Sequence, residues 1–354
     1  MATAAHLDAL TDAVRAHRAL VRVSVIRAEG STPREAGAAM LVTANDLRGT
    51  IGGGALELEA MDCARALLRD GAGAEPWYRE VRDFALGPSL GQCCGGATRL
   101  LFEVWTAREV DALARLTRGK ASSALVLRAI SGGFAPLVLS SRKEDAVGVP
   151  LPVLRVARDI LSGARPCKAE LVNPGKGAPA WFIEPLSRAR VPLYLYGAGH
   201  VGRAIVHVLQ GLAFEVHWVD THADRFPGVI ASDIHRIPAA DPARVAAHAP
   251  AGAFHLILTF SHALDLAIVH ALLQRCDAVF VGLIGSETKA ARFRKRLREA
   301  GITDAALARL TCPIGIDGLT GKEPPVIAVS VAAQLIGLLE AGAVAVPVAE
   351  ARDA

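Results

Sequence analysis

Six residues, Gly197-Ala198-Gly199-His200-Val201-Gly202, constrain this chain more than any others. They follow the apolar run Val191–Tyr196 and open a helix-period segment, Val201–Leu212. A strand that turns through such a loop into a helix is the opening unit of a parallel, doubly wound sheet. The first glycine makes the tight turn, the second lets backbone approach a phosphate, and the third lets helix and strand pack closely. Backbone N–H groups and the helix dipole favour an anion at that end. The next strand, Phe214–Val219, leads to Asp220, near where an acid that binds a ribose would sit. Asp220 reads equally well as a capping residue at the strand end.

The residues that follow keep the alternation going. Strands are expected at His255–Thr259 and Ala278–Ile284, with helices at His262–Arg275, Glu287–Ala300 and Val326–Glu340. The first half has a different character. A helix over Ala4–Leu20 precedes strands at Val21–Ile26 and Ala38–Val42, a helix at Leu56–Leu68, and strands near Trp77–Phe84 and Thr98–Trp105. Ala124–Ile130 and Phe134–Leu139 read as a hairpin. Prolines then crowd residues 142–192 and weaken the pattern. The expected architecture is therefore α/β: an N-terminal mixed α+β domain over residues 1–188, then a C-terminal Rossmann-like doubly wound parallel sheet over 189–354.

An anion-binding loop raises the question of nucleic acid, and composition answers it. The formal charge of the 354 residues is only +4 at pH 7, too small for a nucleic-acid scaffold. Hydrophobic residues at 52% and charged ones at 21% describe a globular chain. The longest apolar stretch, Val326–Leu339, is broken by Ser330, Gln334 and Gly337 and falls short of the ~20 residues a membrane span needs. The first twenty residues lack an apolar signal core, so a cytoplasmic protein with reduced thiols and no membrane association is expected.

Three further segments carry chemistry. Thr259-Phe260-Ser261-His262-Ala263-Leu264-Asp265 stands where a strand gives way to its helix, which puts Ser261, His262 and Asp265 beside the crevice at the carboxyl edge of the sheet. The bland alternative is Ser261 as an N-cap with His262 in the first turn. Helix 287–299 holds six cations against two acids, with Ser286 as its N-cap and Ala290, Phe293, Leu297 and Ala300 as its buried stripe. It is a solvated face or a docking surface. Cys93 and Cys94 lie in Leu90-Gly91-Gln92-Cys93-Cys94-Gly95-Gly96. Neighbours on an extended chain face opposite ways, so one reactive thiolate beside one buried thiol is more natural than a two-thiol clamp.

Taken together, these segments resemble the accessory-protein family of xanthine dehydrogenase, XdhC/CoxI. The resemblance rests on Gly30-Ser31-Thr32-Pro33-Arg34 with Gly37, on Gly49-Thr50-Ile51-Gly52-Gly53-Gly54-Ala55-Leu56-Glu57, and on the Cys93-Cys94 loop. It continues through Phe182-Ile183-Glu184-Pro185-Leu186, the Gly197–Gly202 loop, Ser261-His262, Ile284-Gly285-Ser286 and Pro313-Ile314-Gly315. The resemblance implies a chaperone that binds molybdenum cofactor, supports its sulfuration with a cysteine desulfurase, and delivers it to the apo molybdenum-binding subunit of xanthine dehydrogenase. It further implies contact with the proteins of molybdenum cofactor biosynthesis, and a homo-oligomer. In the CoxI-like branch a cysteine often stands where this chain has Gly54 or Ala55, so a thiol contact to the metal falls here to Cys93 or Cys94. The cofactor-binding set is then Cys93, Cys94, Gly197, Gly199, His200, Gly202, Asp220, Ser261 and His262, with no catalytic residue of its own. Two rivals stay open: an NAD(P)-dependent oxidoreductase, favoured by the glycine loop and Asp220, and a non-catalytic nucleotide-sensing assembly module.

Overall fold

The computed structural model describes residues 7–87, 95–118, 124–141, 146–186, 190–231 and 234–341. The chain divides into two compact units that meet in sequence at residues 189 and 190.

The first unit runs α1 (Leu7–His17), β1 (Ala19–Glu29), β2 (Ala39–Val42), β3 (Leu47–Gly49), α2 (Gly54–Arg69), β4 (Arg79–Ala85), β5 (Ala97–Thr106) and α3 (Ala107–Thr117). It continues through β6 (Leu125–Ala129), β7 (Leu137–Leu139), α4 (Leu151–Leu161), β8 (Glu170–Val172) and β9 (Trp181–Pro185). Two antiparallel sheets form, in the orders β3-β2-β1-β5-β4 and β7-β6-β9-β8. The expected hairpin is the β6–β7 pair.

Alternation along the strands explains the layering. Val21, Val23 and Val25 of β1, with Leu100, Phe102 and Val104 of β5, share a core with Leu56, Ala60 and Ala64 of α2. Leu125 and Leu127 of β6 and Ile183 of β9 pack on Val153, Ala157 and Ile160 of α4. The opposite faces of the two sheets meet at Ile26, Leu101 and Phe182. Beside that apolar contact lies a charged one. Arg22, wholly buried, donates to Glu103 at 3.1 Å and to Glu184 at 2.5 Å. Arg128 reaches the same two carboxylates, and Arg79 donates to Glu103 at 3.0 Å. Glu184 of the Phe-Ile-Glu-Pro segment is thus a structural acid.

The prolines of residues 142–192 do not mark a loop throughout. Pro150 is the N-cap of α4 and Pro152 sits in its first turn, where a missing N–H costs nothing.

The second unit runs β10 (Val191–Tyr196), α5 (His200–Leu209), β11 (Phe214–Asp220), β12 (Ile234–Pro238), α6 (Pro242–His248), β13 (Phe254–Ile257), α7 (His262–Arg275), β14 (Phe280–Leu283), α8 (Glu287–Glu299), α9 (Asp304–Leu307), β15 (Leu310–Thr311) and α10 (Pro324–Glu340). All six strands are parallel, in the order β12-β11-β10-β13-β14-β15. This is the doubly wound arrangement. One face is packed by α5 and α10, through Ile205, Val206, Ala328 and Val331. The other is packed by α7 and α8, through Ile268, Leu272, Phe293 and Leu297. The chain leaves β10 for β11 and β12, then returns on its other side as β13. The crevice between the carboxyl ends of β10 and β13 is therefore the switch point where ligands of such sheets bind. No helix among the described residues is long and apolar enough to cross a membrane.

Candidate functional site

The glycine loop after β10 is held from below and open above. Gly197 has φ +122°, and a Cβ on it would lie 2.3 Å from the Leu258 carbonyl oxygen, so no other residue fits there. A Cβ on Gly202 would lie 2.1 Å from the Gly197 carbonyl oxygen, which is why α5 can run so close to the loop. Gly199 differs: nothing stands within 4 Å of its added Cβ, and its φ of −73° suits any residue. Two glycines serve packing, and the third leaves room over the start of α5. Gly199 is the N-cap of that helix, offers no side-chain cap, and is followed by exposed His200.

Asp220 holds the loop in place. It is buried, and its Oδ2 accepts from the Ala198 N–H at 2.6 Å. Its Oδ1 accepts from the Thr221 N–H at 2.6 Å and faces Arg225 Nε at 3.5 Å. Trp218 adds an indole N–H to the Gly197 carbonyl at 3.1 Å. Arg203 of α5 donates to the Ala198 carbonyl at 3.0 Å and to the Arg225 carbonyl at 2.8 Å.

Across the crevice, Ser261 is the N-cap of α7, its hydroxyl accepting from the Leu264 N–H at 3.4 Å. His262 is the first residue of α7, exposed and edge-on to Phe293. Asp265 is fully buried: it accepts from the Thr259 N–H at 3.0 Å and hydroxyl at 2.7 Å, and pairs with Lys289 at 2.7 Å. Lys289 also donates to the Ile284 carbonyl at 2.8 Å. One ion pair thereby ties the loops after β13 and β14 together. Asp265 is a scaffold for the crevice, and sequence spacing alone gave no hint of Lys289 as its partner.

That pairing also thins the basic helix. Of the six cations of α8, Lys289 is spent on Asp265, Arg298 pairs with Asp304 at 2.7 Å, and Arg294 donates to the Leu310 carbonyl. Arg292, Lys295 and Arg296 are the exposed remainder. Ala290, Phe293 and Leu297 form the buried stripe as expected, whereas Ala300 is exposed at the C-cap.

In the first unit, three of the loops singled out in the sequence converge. A Cβ on Gly96 would lie 2.4 Å from the Ser31 carbonyl oxygen, and one on Gly52 would lie 2.5 Å from the Pro33 ring. Gly52, Gly53 and Gly54 all have positive φ, at 128°, 78° and 66°. Their turn is held by Glu57, whose carboxylate accepts from the Thr50 hydroxyl at 2.6 Å and from the Ile51 and Gly53 N–H groups at 3.1 Å. Cys93 and Cys94 lie outside the described residues. Among those described, no group of three or more His, Cys, Asp or Glu side chains is placed to hold a metal.

Comparison with known proteins agrees with this architecture. Residues 193–335 match the family model of the XdhC Rossmann domain, and residues 13–78 match that of the XdhC and CoxI family. The uncharacterized protein YqeB of Escherichia coli K12 is 28% identical over 161 residues, which are 45% of this chain and 29% of that relative's length. A Bacillus halodurans crystal structure described as a xanthine dehydrogenase superposes with a TM-score of 0.72 over 96% of each chain, at 21% identity. That likeness concerns the fold. With a family model matched in each of its units, the chain belongs to the XdhC and CoxI family.

Proposed function

We propose that this protein is a maturation factor for xanthine dehydrogenase: it binds molybdenum cofactor as cargo, supports its sulfuration with a cysteine desulfurase, and hands it to the apo molybdenum-binding subunit. Family membership supports the maturation role, and one observation carries the binding step. The loop between β10 and α5 closes its first and third glycines with protein and leaves Gly199 open over a helix N-terminus. The cargo ends in a phosphate, and such a terminus suits an anion. In this reading the N–H groups at the start of α5 hold the phosphate, with His200, Ser261 and His262 around the crevice. Gly197, Gly202 and Asp220 fix the loop they act from. Cys93 or Cys94 supplies a thiolate, a soft partner for a sulfur-ligated metal. This chain binds and orients the cargo.

The nucleotide-binding alternatives share the same loop. Asp220 is only 6% exposed, and its carboxylate is committed to the loop it holds through the Ala198 and Thr221 N–H groups, whereas an acid that binds a ribose must reach the open crevice. The geometry therefore supports an NAD(P)-dependent oxidoreductase less well.

The test is the molybdenum and molybdopterin content of the full chain purified from molybdate-replete cells, for the wild type, Gly199→Val and the double variant Cys93→Ala, Cys94→Ala. The wild type should carry cofactor. Gly199→Val should lose it with unchanged circular dichroism, and the cysteine variant should lose metal and fail to activate apo-dehydrogenase. Cofactor content equal to wild type in Gly199→Val sinks the loop assignment, and a bound adenine nucleotide in place of a pterin sinks the maturation reading.

A further inference from the structure

We infer that Phe260 and Arg225 form a clamp that stacks on a flat heteroaromatic ring, and so select a ligand in which such a ring is joined to a phosphate. The inference deepens the reading above and rests on the glycine loop holding that phosphate. Phe260 follows β13 and is 66% exposed, although its neighbours are fixed. Thr259 is bound to Asp265, and Ser261 caps α7 while its N–H donates to the Thr259 hydroxyl at 3.2 Å. Asp265 is itself locked to Lys289. The backbone on both sides is pinned, and the ring is held out to solvent on a rigid base.

The other jaw comes from the opposite side of the glycine loop. Arg225 follows β11, and its guanidinium lies 4.2 Å from the centroid of the Phe260 ring. Because β10 lies between β11 and β13, the two side chains meet across the carboxyl end of β10, where the glycine loop begins. Arg203 ties the Arg225 carbonyl and the Ala198 carbonyl to one side chain, so the second jaw is anchored to the loop. The Arg225 side chain is 41% exposed and held by Asp220 only at 3.5 Å, which leaves it room to swing.

In the structure the cation occupies the aromatic face. That contact is a modest one at an exposed site. A heteroaromatic ring stacks on an aromatic side chain more strongly, with little regard to which base it is. A ring entering here would take the Phe260 face, and the planar guanidinium would close on its other side. Pterins and adenine share this chemistry, so the experiment separates them.

Binding to the full chain is measured for three probes: the oxidised pterin phosphate released from molybdenum cofactor, AMP, and inorganic pyrophosphate. Phe260→Ala should weaken the ring-bearing ligand by roughly 5- to 150-fold, the range one stacked base supplies, and Phe260→Trp should restore it. Pyrophosphate should bind both variants within about twofold of wild type, because it has no ring. The melting temperature should not fall in Phe260→Ala, since the side chain is exposed. Preference for the pterin over AMP, or the reverse, identifies the ring. Equal binding of the ring-bearing probes by wild type and Phe260→Ala overturns the clamp, as does failure of the wild type to bind either. Pyrophosphate and ring binding both unchanged in Gly199→Val overturns the loop reading instead.

Discussion

Replacing Glu103 with glutamine removes one of the two carboxylates that, among the described residues, pair with three buried guanidiniums. Glu103 accepts from Arg22 at 3.1 Å, Arg79 at 3.0 Å and Arg128 at 3.3 Å, and it is 2% exposed. Burial alone would raise its pKa, but the attraction of Arg128, Arg79 and Arg22 outweighs that and holds it down at about 2. Against an ordinary value of 4.5, that difference corresponds to roughly 3 kcal/mol of stability at neutral pH. Breaking a buried ion pair from one side costs ~3–5 kcal/mol by a separate route, since the arginines stay behind. The donors are already in excess: Arg79 Nη2 and Arg128 Nε are buried without a hydrogen-bond partner. Glu103→Gln should therefore lower the melting temperature of the first unit by roughly 6–20 °C, at ~2–4 °C per kcal/mol. Tryptophan fluorescence reports on this unit, because Trp77, Trp105 and Trp181 belong to it and Trp218 does not. The sign with pH is fixed. A carboxyl with a depressed folded pKa contributes stability above its unfolded pKa and loses it as pH falls toward 2. The gap between wild type and variant should close between about pH 5 and pH 2. A variant within 1 kcal/mol of wild type at pH 7, or a gap that does not shrink on acidification, refutes the reasoning.

Gly197→Ala should strain the second unit by at least ~1–3 kcal/mol in chemical denaturation, whereas Gly199→Ala should stay within about 0.5 kcal/mol of wild type. Asp265→Ala strands the largely buried Lys289 and should cost ~3–5 kcal/mol, while Asp265→Leu with Lys289→Met should cost less than the single change. His255 is buried, its Nδ1 3.2 Å from the Tyr196 hydroxyl, and burial pushes its pKa down to about 3. The unfolded chain takes up that proton first, so the second unit should lose stability as pH falls from 6.5 toward 3, and His255→Gln should flatten that part of the profile.

The second unit was the more legible half, because each of its signals is local. A strand, a glycine loop and a helix sit within about twenty residues from Val191 to Leu209, and their order dictates a parallel sheet. What escaped was what does not look apolar. Ile234-His235-Arg236-Ile237-Pro238 forms β12, an edge strand half open to solvent, and so lacks the buried run that marked its neighbours. β15 is two residues long and carries no periodicity at all. In the first unit, α3 starts at a capping box of Thr106 and Glu109, a readable sign overshadowed by the apolar strand before it. At the site, the glycine loop could be read, since its requirement is backbone geometry. Roles that depend on distant partners could not. Asp265 waits on Lys289, Arg225 on Phe260, and Glu184 on Arg22, and no spacing rule links such pairs.

The charged seam between the two sheets also sets an order of events on the ribosome. Arg22 leaves the exit tunnel early, yet its partner Glu184 follows 162 residues later. At ~5–20 residues per second, the guanidinium waits roughly 8–32 s for that carboxylate. Glu103 arrives after 81 residues and takes part of that charge, but the second carboxylate that completes the native setting of Arg22 is still missing. The first unit is thus a late closer. Its earliest strand is secured by its last, and any truncation ahead of Glu184 would leave the nascent sheet with a buried positive charge and an open apolar face.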